Sequence, residues 1–175
     1  MQAMLMEATN AVADQLPRHL PALRRYARAL TGDAAASDDL VQDCAERALS
    51  RAHLWREPGN MRAWLFTIMH NLNANRRRHA ASRPTMAMAR DLPEAAWPAR
   101  QIDSLAARQT LSALHQLSDP HRDVLILVAI EGMPYAEAAA VLGIPPGTVM
   151  SRLSRARAHL RALTGETPPA GIRAA

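Results

Sequence analysis

The residues best equipped for chemistry lie between Gly143 and Leu163, in GIPPGTVMSRLSRARAHLRAL. At helical period, Thr148, Ser151, Arg152, Arg155 and His159 share one side, with Arg157 and Arg161 on its flank and no acid among them. Guanidiniums crowded in this way repel one another unless a polyanion lies across them. Hydroxyls and guanidiniums are also the groups that bond phosphates and base edges. A second polar set comprises Arg62, His70, Asn71, Asn75, Arg76, Arg77 and Arg78. Asn and His are mediocre in mid-helix, so several together suggest that their hydrogen-bonding edges are wanted. Trp64 and Phe66 lie close by as surfaces on which a base could stack, although Trp64 also suits a core. A third set has the opposite sign: Asp38, Asp39, Gln42, Asp43 and Glu46. It is either an ordinary solvated helix face or a docking strip for a basic protein.

These sets must be positioned by helices, because no run of period two appears. Val149, Leu153, Ala156, Leu160 and Leu163 form the apolar stripe behind the arginines. Upstream, PYAEAAAVLG reads as a short helix closed by Gly143, and Pro146 suits the first position of the next helix. Helix, tight turn and basic helix is the form of a DNA-reading helix-turn-helix, with a plain helical hairpin as the competing reading. Earlier in the chain, after a loose start, Leu23, Tyr26, Ala27 and Leu30 predict a helix that stops at Gly32. Ser37 is the expected cap of the acidic helix, with Leu40, Val41, Cys44, Ala48 and Leu49 inward. LWREPGNM reads as a loop, and MRAWLFTIMHNLNANRRRH as a helix with Met61, Trp64, Leu65, Ile68 and Leu72 inward. Asp119 is the expected cap of DPHRDVLILVAIEG, with Pro120 at its first position and Val124, Leu125, Leu127 and Val128 as core. The expected organisation is all-α: a helical module over 1–79, a flexible Pro- and Met-bearing linker over 80–100, a helix-turn-helix module over 101–164 and a frayed tail over 165–175.

Composition is consistent with this. The 175 residues include 21 arginines and no lysine, with a net charge of +5, which suits a nucleic acid or an acidic partner. The single cysteine, Cys44, excludes an internal disulfide framework and reads as a packed small residue. No apolar run is long enough to span a membrane, and the first ten residues lack the pattern of a signal peptide, so a cytoplasmic protein without membrane insertion is expected. Scattered histidines without HxxxH or CxxC spacing predict no metal and no cofactor. The absence of GxxxxGK, GxSxG and GxGxxG motifs gives no reason to expect an enzyme.

Three blocks, TGDAAASDDLVQDCAERAL, MRAWLFTIMHNL and LSDPHRDVLILVAIEGMPYAEAAAVLGIPPGTVMSRLSRAR, occur in an order and spacing that resemble a bacterial RNA polymerase sigma factor of the extracytoplasmic-function (ECF) type. The resemblance implies that Asp38, Asp39, Gln42, Asp43 and Glu46 meet core RNA polymerase, on a coiled coil of the β′ subunit, with the β subunit a further partner. It implies that Arg56 to Asn60 and Asn71 pocket a flipped base of the promoter minus-ten element, with His70 and Asn75 on the same helix. Arg62, Arg76, Arg77 and Arg78 would then hold its phosphates. Thr148, Ser151, Arg152, Arg155 and His159 would enter the major groove at the minus-thirty-five element, and an anti-sigma factor is an expected further partner. Three features depart from the pattern: Pro134 where a capping Ser is usual, Ala138 where a larger aliphatic residue is expected, and the adjacent pair Pro145 and Pro146. The alternatives are a sigma-mimicking protein that sequesters an anti-sigma factor and a simple helix-turn-helix regulator. The first would not need the arginine face, and the second leaves the acidic strip without a role.

Overall fold

The computed structural model describes residues 2–55, 59–82 and 112–164. Among these, all regular structure is helical. Helix α1 (Gln2–Thr31) is longer than its composition suggests, because Pro17 and Pro21 lie inside it where a loose start was expected. A proline removes one helical N–H and crowds the carbonyl four residues back. Here the two prolines are spaced by one turn and both face solvent, so the freed carbonyls can bond water. The opposite side of α1 buries Val12, Leu16, Leu23, Tyr26, Ala27 and Leu30. Gly32 ends the helix at φ 71°, its N–H returning to the Arg28 carbonyl at 2.9 Å.

Helix α2 (Ala34–Ser50) begins earlier than Ser37. Asp33 is its cap and accepts from the Ala36 N–H at 2.7 Å. Three alanines with high helix propensity follow it, so the helix gains a turn and Ser37 becomes an interior residue bonded to the Ala34 carbonyl. Leu40, Val41, Cys44 and Ala48 are buried as expected. After a 3₁₀ turn at Ala52–Leu54, Asn60 caps α3 (Met61–Ser82) by accepting from the Ala63 N–H at 3.1 Å. This helix runs three residues beyond position 79. It buries Phe66, Met69 and Asn73 together with the expected Met61 and Leu65, whereas Trp64, Ile68 and Leu72 are only partly covered.

The second half opens with helical residues 112–116 and then α4 (Asp119–Leu125). Ser118, not Asp119, stands at the cap position of α4, and Asp119 and Pro120 occupy the first turn. Proline without an N–H fits there, and the acid faces the positive end of the helix dipole. The chain then widens into a π turn (Ile126–Ile130), closed by Glu131 N–H to Ile126 carbonyl at 2.9 Å. Helix α5 (Tyr135–Leu142) starts at Pro134 without a side-chain bond at its cap, the weak beginning that a proline there predicts. Gly143 at φ 64° ends it, a left-handed conformation that costs a side-chain-bearing residue about 1 kcal/mol. Pro146 opens α6 (Pro146–Thr164) as expected. Val149, Leu153 and Ala156 of its apolar stripe are buried and Leu160 is partly covered, but Leu163 is exposed because it lies beyond the body it would pack on.

The helical modules share one continuous apolar core, from Val12 to Ala156. Tyr26 of α1 stacks on Phe66 of α3 with ring centres 4.7 Å apart, and α3 packs against both α2 and α5. At Gly32 the two halves approach so closely that a Cβ would stand 2.9 Å from the His115 ring. The expected linker and tail lie largely outside the described residues.

Candidate polymerase and nucleic-acid interfaces

The acidic strip on α2 is presented to solvent, with Asp38, Asp39, Gln42 and Glu46 all exposed. Their spacing puts them on the side opposite Leu40, Cys44 and Ala48, and Gln42 Nε2 donates to Glu46 Oε1 at 3.0 Å. Asp43 differs from the rest. Its carboxylate accepts from Arg76 Nη2 of α3 at 2.5 Å, which ties the strip to the next helix.

The polar residues of α3 do not form one surface. Successive residues on a helix step round by about 100°, and this divides the arginine run. Arg76 goes to Asp43, Arg77 to Asp119 and Asp123 of α4, and exposed Arg78 bonds to Asn75. Asn71 and Asn75 face solvent. Arg62 donates to Glu131 Oε2 at 2.9 Å and to the Glu131 carbonyl at 2.6 Å, and its guanidinium lies 5.2 Å from the centre of the Phe66 ring. Phe66 itself is wholly buried between Tyr26 and Arg62, so in this structure it offers no platform to a base. His70 is largely covered, with Nδ1 at 3.7 Å from Asp123, and burial pushes its pKa below the ordinary imidazole value. Arg56 lies outside the described residues. Of the expected minus-ten set, Asn60, Asn71, Asn75 and Arg78 are therefore in the open, whereas Arg62, His70 and Arg77 face the second half.

On α6, Ser151, Arg155 and His159 are exposed, and Thr148 and Arg152 are partly so. Thr148, Ser151, Arg152 and Arg155 follow the i, i+3, i+4, i+7 spacing of one helix face. None of the described acids pairs with Arg152, Arg155, Arg157 or Arg161, in contrast to the arginines of α3. The tight Gly143–Pro146 turn holds this face outward, with Thr148 and Val149 N–H groups both returning to the Pro145 carbonyl.

Sequence reasoning missed Arg25, Asp123 and Glu131 and took Asp119 only as a helix cap; these four are charges at the junction of the halves. Arg25 joins Arg62 on Glu131, at 3.1 Å, although it stands 106 residues away. The only local signal is an acid embedded in or ending an apolar run, as in HRDVLILVAIEG. Cys44 is inert, as expected: it is buried, its thiol contacts the Leu65 carbonyl at 3.5 Å, and burial pushes its pKa up to about 12.

A helical module with an acidic strip and a polar third helix, followed by a helix-turn-helix with a bare arginine face, is the architecture of a transcription initiation factor. The chain belongs to the ECF RNA polymerase sigma factors. Residues 16–70 match the family described as the Sigma2 domain of PhyR, and residues 107–160 match Sigma-70, region 4. The chain is 35% identical to the ECF RNA polymerase sigma factor EcfG of Rhodopseudomonas palustris, over 90% of this chain and 87% of that protein. It is 37% identical to the ECF sigma factor SigL of Mycobacterium tuberculosis, over 82% of each. Among solved structures, the sigma factor RpoE of Bartonella quintana, determined in complex with the anti-sigma factor NepR, superimposes with a TM-score of 0.76 at 33% identity, covering 87% of this chain and 96% of that one. No described helix is long and apolar enough to cross a membrane.

Proposed function

We propose a division of labour among three surfaces of this sigma factor. The exposed acids of α2, Asp38, Asp39 and Glu46 with Gln42, dock on a basic coiled coil of the polymerase β′ subunit. Asn60, Asn71, Asn75 and Arg78, with Arg62, Arg76, Arg77, His70 and the loop residue Arg56, engage the minus-ten element, the amides reading a flipped base and the arginines holding phosphates. Thr148, Ser151, Arg152, Arg155 and His159 enter the major groove at the minus-thirty-five element. The modules are assigned to 1–79 and 101–164, and the protein works in the cytoplasm. The observation that carries this reading is the α6 face, where four arginines stand without an acidic partner among the described residues. Run-off transcription with purified core polymerase on genomic fragments tests it. Discrete transcripts that depend on this chain are expected, and their complete absence would remove the reading.

By likeness to RpoE of Bartonella quintana, an anti-sigma factor is a further partner. The match of residues 16–70 to the Sigma2 domain of PhyR gives some support to a second reading, a protein that mimics a sigma factor and captures an anti-sigma factor. A mimic has no use for the α6 arginine face, which favours the initiator. The same run-off experiment separates the two.

A further inference from the structure

Asp123 and Glu131 are unusual acids. Their side chains are 6% and 0% exposed, yet each is held as an ion pair by arginines of the other half of the molecule. Glu131 takes Arg25 and Arg62, while Asp123 takes Arg77, which reaches Asp119 as well. A carboxylate gripped by guanidinium forks presents them with the charge and the oxygen acceptors that a phosphate would. Two of those forks, Arg62 and Arg77, are cations assigned above to minus-ten phosphates, and they cannot serve DNA while they hold these acids.

We propose that Asp119, Asp123 and Glu131 form an internal substitute for promoter phosphates, latching the second half onto α1 and α3 and withholding Arg62 and Arg77 from DNA until the halves are drawn apart. This rests on the minus-ten assignment of α3. The latch makes an unusual demand: removing a positive charge at the right place must strengthen DNA binding. Arg25 is that place. It is more than half exposed, it lies outside the assigned DNA set, and it supports the latch through Glu131.

The test uses the full chain, with fluorophores on cysteines introduced at Ala13→Cys and Ala158→Cys, both exposed sites on separate halves, Cys44 being buried. In parallel, the unlabelled chain is titrated against a fluorescein-tagged single-stranded oligonucleotide. Phosphate contacts read no sequence, so an arbitrary one serves. Arg25→Gln should lengthen the label separation and tighten oligonucleotide binding a few-fold. Asp123→Asn with Glu131→Gln should tighten it about tenfold, in proportion to the open fraction gained. The charge-matched control, Glu7→Gln with Asp14→Asn, should give a smaller gain and no change in separation. If Arg25→Gln weakens binding, or if neither latch variant alters the label separation, the latch is overturned. Should the double variant lose its helical circular dichroism, Arg25→Gln decides alone. A wild-type chain that initiates no transcription would sink the initiator reading, while the label separation would still decide whether the acids hold the halves together.

Discussion

The three arginines Arg76, Arg77 and Arg78 are consecutive in sequence and meet three different fates. What an arginine does is set by the acids within its reach, and those on α6 have none among the described residues. Arg152 is therefore the residue whose loss should read most clearly. Arg152→Ala should reduce promoter-specific transcription by roughly tenfold or more, the cost of about 1–3 kcal/mol of base discrimination, while polymerase binding is retained. Run-off yield and co-purification measured on the same preparation check both halves of that statement. On the acidic strip, Asp43 is a poor target because its removal also frees Arg76. Asp38→Arg with Asp39→Arg alters only exposed positions and should abolish co-purification with core polymerase. Undiminished co-purification would show that the strip is only a solvated face.

At the scale of the element, the legible features were those that act within one turn. Gly32, Gly143 and Pro146 mark helix boundaries because backbone geometry near them admits few alternatives. The burial of Leu23, Tyr26, Leu40, Cys44, Val149 and Leu153 followed from period alone. Caps were harder to place, because Asp33 and Ser37 are both good capping residues and only the alanines between them tilt the choice. Asp33→Ala should cost about 1 kcal/mol, seen as a lower urea midpoint at unchanged slope, whereas a polar change at Ser37 should disturb packing instead. The widening at Ile126–Ile130 and the long proline-bearing α1 were not legible. Each depends on tertiary packing to support a backbone that local propensity disfavours. The candidate site was legible where residues act outward, as on α6 and α2. It was not legible at the junction, where Arg25 meets a partner 106 positions away and Arg77 one 46 positions away.

For the whole molecule, two histidines at the junction make stability depend on pH. His70 beside Asp123 and Arg77, and His115 against Gly32 and Arg122, both have pKa values lowered chiefly by burial; Arg122 adds to the effect at His115, and Asp123 opposes it at His70. In the unfolded chain both imidazoles take up a proton near their ordinary pKa, about 6.5, whereas the folded chain resists. Stability therefore rises with pH across this window, is full above it, and falls as pH drops from about 7.5 to 5.5, still above the ordinary carboxylate range. Calorimetric Tm should decline over that interval, and His70→Gln with His115→Gln should flatten the decline. An undiminished slope would assign it to other groups.

The π turn has one consequence for any relative of this chain. Its hydrogen bond spans five residues instead of four, so Glu131 stands where an unbroken α-helix would put residue 130. Because each position is worth about 100° of rotation, the extra residue decides whether the terminal carboxylate looks inward at Arg62 or out into water. A homologue could keep every charged side chain and still lose the clasp by deleting a single residue such as Ala129. The phase of the backbone, not the inventory of charges, is what a comparison of such proteins should track.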